Sequence, residues 1–120
     1  MHTVTLPWPP SCLFPNAKRR THWSKYAKPT KAYRALCGWE AKAQGVRQHN
    51  DPTAALCVSL TFLPPDNRRR DMDGMLGAFK AGIDGLSDVL GVDDCYWSLA
   101  TAKGEKIKGG AVIAKIEVRI

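Results

Sequence analysis

Residues 55–65 read ALCVSLTFLPP, and their alternation sets the architecture of the chain. Leu56, Val58, Leu60 and Phe62 leave on one side of an extended backbone, and Cys57, Ser59 and Thr61 on the other. One apolar and one polar face predict a strand with a core against a single side. Pro64 and Pro65 end it, because proline cannot donate to a ladder.

Similar signals lie on either side. Thr3 to Leu6 predicts a short strand with Val4 and Leu6 on one face, stopped by Pro7. Tyr96–Thr101 and Val112–Ile120 predict two more, the last with Val112, Ala114, Ile116, Val118 and Ile120 in strict alternation. Gly104, Gly109 and Gly110 suit a hairpin loop between them. Residues 15–29, PNAKRRTHWSKYAKP, predict a basic loop, since a proline at each end opposes a continuous helix. A helix is expected from Thr30, as N-cap, to about His49, with Ala32, Leu36, Trp39, Ala43 and Val46 on its apolar face. A second is expected from about Asp71, carrying Met72, Met75, Leu76, Phe79 and Ile83. The order β-α-β-α-β-β, in one domain over 1–120, predicts an α/β (α+β) fold with a mixed sheet and packed helices.

Composition narrows the function classes. The 120 residues carry 44% hydrophobic and 24% charged side chains, ordinary for a globular fold, and no apolar run approaches the roughly 20 residues that span a bilayer. MHTVTLPWPP has neither the basic nor the apolar region of a secretory signal, so a cytoplasmic setting is expected. Cys12, Cys37, Cys57 and Cys95 form no metal-ligand spacing and are expected to be reduced and mostly buried.

The net charge of +7 is unevenly distributed. Residues 1–49 hold nine Lys/Arg against Glu40, whereas residues 71–94 hold six aspartates against Lys80. Basic surface favours a polyanion through phosphate neutralisation, and the acidic island would repel that partner unless cations intervene. Both meet in RRRDMDG, residues 68–74.

Asp71 and Asp73 would lie about 200° apart on a regular helix. They converge only if Asp71 is still extended at the loop-to-helix junction. Asp93 and Asp94 before the third strand add a further carboxylate, and together such groups suit a hard cation such as Mg²⁺ in phosphodiester hydrolysis. The ordinary alternative needs no metal: aspartate favours a first helical turn, and Asp-Asp is common turn material. Lys18, Arg19, Arg20 and Lys25 suit an electrostatic track, with Trp23 or Tyr26 able to stack on an exposed base or to pack inward. His22 has no identifiable partner.

VTLPWPPS, the basic segment before TKAYR, RRRDMD and the later DD before a strand together resemble the RusA family of Holliday junction resolvases, over essentially the whole chain. The resemblance implies a Mg²⁺-dependent endodeoxyribonuclease, with Mn²⁺ as a substitute, acting as a homodimer on four-way DNA junctions, in a setting of phage or prophage recombination and repair. It carries the metal-binding carboxylates onto Asp71, Asp73 and Asp94, with Asp93 a less certain neighbour, and DNA contacts onto the run Arg68, Arg69 and Arg70. Two positions depart from the family pattern. Gly74 stands for its asparagine and Gly77 for its catalytic lysine. Lys80, three residues on and on nearly the same helix face, can reach back in place of that lysine, or is simply an exposed helix lysine. Two alternatives are a branched-DNA-binding protein that has lost turnover and a nuclease of other branched or flapped DNA.

Overall fold

The computed structural model describes residues 2–118. Strands β1 (His2–Pro7), β2 (Leu56–Leu63), β3 (Trp97–Lys103) and β4 (Ala111–Val118) form one mixed sheet in the order β1-β4-β2-β3. β4 pairs antiparallel with both β1 and β2, and β2 pairs parallel with β3. The α+β architecture expected from the sequence is therefore present. The end of the last predicted strand, including Ile120, lies outside the described residues.

The alternation in β2 is real. Leu56, Val58, Leu60 and Phe62 are buried, and Ser59 is exposed on the other face. Val4 and Leu6 of β1 and Val112, Ala114 and Ile116 of β4 extend the same buried layer. Each large side chain buried there contributes about 1.5–3 kcal/mol. Helices α2 (Ser24–Ala43) and α4 (Lys80–Leu90) are the main cover of this core, helped by the shorter α3 (Met72–Ala78), while α1 (Pro15–Arg19) buries no residue of its own. The opposite face of the sheet carries exposed Thr3, Thr5, Ser59 and Lys115.

Three expectations are corrected. First, the segment 15–29 is largely helical. Pro15 occupies the opening position of α1, where no donor is needed, and Pro29 lies inside α2. Helix α2 begins beyond Trp23, and Thr30 is no N-cap; its hydroxyl donates back to the Tyr26 carbonyl at 2.7 Å. Pro29 removes the bond to the Lys25 carbonyl, on an exposed residue that water can satisfy.

Second, the buried face of α2 is Tyr33, Cys37, Gly38 and Ala41, whereas Leu36 is 44% and Trp39 71% exposed. Small residues win this face because α2 and α4 approach closely. A Cβ on Gly85 would lie 2.4 Å from the Arg34 carbonyl oxygen and 3.1 Å from the Gly38 nitrogen. Arg34 fastens the pair through two 2.7 Å hydrogen bonds to Asp88. Tyr33 donates its hydroxyl to the Pro7 carbonyl at 2.5 Å, tying α2 to the end of β1, and burial pushes its ionisation far above the usual range. Burial likewise raises the Cys37 thiol to about 11.

Third, β3 and β4 form no hairpin, because β2 lies between them. Residues 104–110 instead cross the end of β2, where the Gly104 and Ile107 amides donate to the Phe62 and Pro64 carbonyls, each at 2.9 Å. The cysteines are free, as expected, but only Cys37 is fully buried and Cys95 is exposed.

Candidate functional site

The arginine loop leaves β2 at Pro64 and enters α3 at Asp71. Asp71 is extended, with φ −85° and ψ 149°, and its carboxylate makes no capping hydrogen bond. The junction geometry needed for convergence with Asp73 is thus present, and Asp71 is not spent on closing the helix end. Asp71 and Asp73 are both exposed and form no ion pair among the described residues.

Two depressions meet at Asp73. One, of about 400 Å³, is bordered by Asn16, Arg19, Arg69, Arg70, Asp71 and Asp73. The other, of about 440 Å³, is bordered by Asp73, Gly77, Lys80, Asp94 and Leu99. Asp71 and Asp94 therefore border different depressions, with Asp73 common to both. Among the described residues no three His, Cys, Asp or Glu side chains form a ready metal cage. An all-oxygen set of one or two carboxylates, completed by phosphate and water, is nonetheless what Mg²⁺ commonly uses. The carboxylates at the two depressions are oxygen ligands of the kind Mg²⁺ takes, and among the described residues they form no preformed cage.

Lys80 is exposed and holds two carboxylates. Its Nζ lies 2.5 Å from Asp94 Oδ2 and 3.2 Å from Asp84 Oδ1. The hydrogen bond to Asp94 is the largest cause of its raised pKa, so the ammonium is firmly charged. Asp93, by contrast, is committed to structure. It caps the short 3₁₀ turn before β3 by accepting from the Cys95 amide at 2.9 Å, and that bond holds its carboxyl below the usual range.

The basic residues separate into free and held groups. Arg68 and Arg69 are exposed, Arg68 with its Nε 3.8 Å from Asp66 Oδ2. Arg70 is only 14% exposed, pairs with Asp66 at 2.8 Å and stacks its guanidinium 5.6 Å from the Trp8 ring centroid. Arg19 donates to Asn16 at 2.6 Å and Lys18 sits over the Tyr26 ring, while Arg20 and Lys25 are exposed. Trp23 is 63% exposed, with His22 against it at 5.6 Å and hydrogen-bonded to Ser24. Asp84 and Trp8 were not among the expected site residues. The i,i+4 spacing of Lys80 and Asp84 was a usable signal for the first. The contact of Trp8 with Arg70 had none.

No known family model matches the chain. It is similar to a protein of Xylella fastidiosa (strain Temecula1 / ATCC 700964) described as an uncharacterized protein, with 38% identity over 95 residues. The match covers 78% of this chain and 61% of that protein, so the chain spans about three-fifths of its relative's length.

Proposed function

We propose that this chain is a metal-dependent endodeoxyribonuclease of the RusA type, resolving four-way DNA junctions by phosphodiester hydrolysis. The observation that carries the reading is the shared position of Asp73. It joins the arginine-rimmed depression holding Asp71 to the depression holding Asp94 and Lys80. Phosphate attraction and carboxylate chemistry thereby adjoin across one residue.

Asp71, Asp73 and Asp94 would hold Mg²⁺ or Mn²⁺, which when bound supplies charge stabilisation at phosphorus and activation of water. The chain's own residues have separable tasks. Arg69 and Arg19 draw the DNA backbone towards the carboxylates, with exposed Arg68, Arg20 and Lys25 extending the attraction and Lys18 adding to it. Arg70, held by Asp66 and Trp8, fixes the shape of the arginine loop at the rim. Lys80 offers a fixed positive charge that can pass from Asp94 to an entering phosphate. Paired nicks on a symmetric junction require two copies of the site, hence a homodimer, and the setting is recombination and repair of phage or bacterial DNA in the host cytoplasm. No helix among the described residues is long and apolar enough to cross a membrane.

A second reading has its own support. Lys80 already neutralises Asp94 and no three-carboxylate cage is formed among the described residues, which favours a branched-DNA-binding protein without turnover. Cleavage of a synthetic four-way junction in Mg²⁺ or Mn²⁺, against a linear duplex, separates the two. Paired symmetric nicks that vanish in Asp73→Asn, with junction binding retained, are expected of the nuclease. Binding without nicks selects the second reading, and preferential cutting of flaps selects another branched substrate.

A further inference from the structure

Lys103 at the end of β3, and Lys106 and Lys108 in the loop that replaces the expected β3–β4 hairpin, are not used by the proposed site. The loop's crossing of β2 brings it against the root of the arginine loop. Besides the bonds to Phe62 and Pro64, the Gly110 amide donates to the Ile107 carbonyl at 3.0 Å. Gly110 has φ 70°, and a Cβ there would lie 2.9 Å from the Trp8 Cβ and 3.1 Å from Pro65. Trp8 is the ring on which Arg70 stacks. The lysine loop, the arginine loop and the Trp8 turn are therefore packed together.

Between the two loops lies a depression of about 410 Å³ bordered by Asp66, Asn67, Lys103, Glu105 and Lys106. It shares no lining residue with the depression at Asn16 and Arg19, so the arginine loop has two distinct flanks. Residues 66–70 and 103–108 together hold six cationic side chains and two carboxylates. Lys103, Lys106 and Lys108 are exposed and form no ion pair among the described residues. Like charges gathered on a fixed frame repel one another, and a polyanion relieves that repulsion.

We propose that Lys103, Lys106 and Lys108 form a second phosphate-binding arm, gripping DNA backbone on the flank of the arginine loop away from Asn16 and Arg19. The proposal rests on the DNA-binding reading above and extends its footprint. Such contacts carry no base information, so they act on a junction and on a linear duplex alike.

The test measures affinity for both DNAs as a function of salt, using the full chain and the variant K103Q/K106Q/K108Q, with Lys115→Gln as a control on the open face of the sheet. Each lost phosphate contact flattens the log–log salt slope by about 0.9. The triple variant is expected to bind more weakly, with a slope shallower by about 2–3. K106Q/K108Q, which leaves β3 unaltered, is expected to lose about 2 and covers the case in which the triple variant folds poorly. Unchanged affinity and slope in these variants, with weakened binding in R68Q/R69Q, would overturn the second arm and leave the DNA reading standing. An unmodified chain with no salt-dependent DNA binding would overturn both.

Discussion

The Lys80 ammonium sits 2.5 Å from Asp94 Oδ2, linking α4 to the turn that begins β3. Both side chains are substantially exposed, at 56% and 37%, so the pair is expected to contribute no more than about 1 kcal/mol to stability. Lys80→Met should therefore shift the urea midpoint little while sharply reducing junction cleavage. Full cleavage by the variant would return Lys80 to an ordinary surface role. The pH dependence has a definite sign. The folded pKa is raised, chiefly by the Asp94 hydrogen bond, so the stabilisation is complete below the unfolded value of about 10.4 and is lost as pH rises through the folded value. Midpoints of the two proteins should converge only in that alkaline window.

Gly77 marks where α1 rests on α3. A Cβ there would lie 3.1 Å from Pro15 Cγ, tight enough that Pro15 must give by a few tenths of an ångström. Gly77→Lys is expected to loosen α1, which carries Asn16 and Arg19, without raising cleavage, while Lys80→Ala lowers it. Strongly raised cleavage by Gly77→Lys, with Lys80→Ala inert, would assign the charge requirement to position 77.

Three glycines should answer alanine differently in thermal unfolding. Gly85→Ala drives a methyl to 2.4 Å from the Arg34 carbonyl and should cost about 1–3 kcal/mol or more as α2 and α4 part. Gly38→Ala meets its nearest neighbour at 3.5 Å, an ordinary contact, and should be tolerated. Gly74→Ala meets nothing within 4 Å and should stabilise α3 by about 0.5–1 kcal/mol.

Neighbouring arginines should separate in the same way. Arg69→Gln is expected to weaken DNA binding with stability unchanged, and Arg70→Gln to lower stability through the loss of Asp66 and Trp8 contacts. Arg70 is also the main cause of the lowered Asp66 pKa, followed by the Arg68 amide. That contribution is present above the unfolded carboxylate value of about 3.9 and fades as pH falls through the folded one. Acid unfolding of Arg70→Gln should accordingly lack part of the wild-type dependence in that range.

The strands were legible because a sheet with one buried face writes its burial directly as alternation, as in Leu56–Phe62. The face of α2 was not. Leu36 and Trp39 are the larger apolar side chains, but the close contact at Gly85 selects Cys37, Gly38 and Ala41, whose small size leaves them little apolar area to bury. Proline misled for a related reason: its position within a helix determines its effect, and Pro15 stands where a missing donor is harmless. At the candidate site, the extended Asp71 followed from where the apolar spacing began. The placing of Asp71 and Asp94 at different depressions, and the capture of Asp94 by Lys80, depend on how α4 packs against the turn before β3. No local pattern encodes that.

The sheet order has a consequence for synthesis. β4, furthest along the chain, is the strand that β1 and β2 share, and Leu6 finds its partner only at Val112. While the ribosome is still short of Ala111, both earlier strands have apolar faces and no common neighbour. Folding must wait for β4, through a contact of long sequence separation that is slow to form. Until then the growing chain exposes edges that other chains can pair with, and its exposure to such pairing is greatest just before β4 emerges.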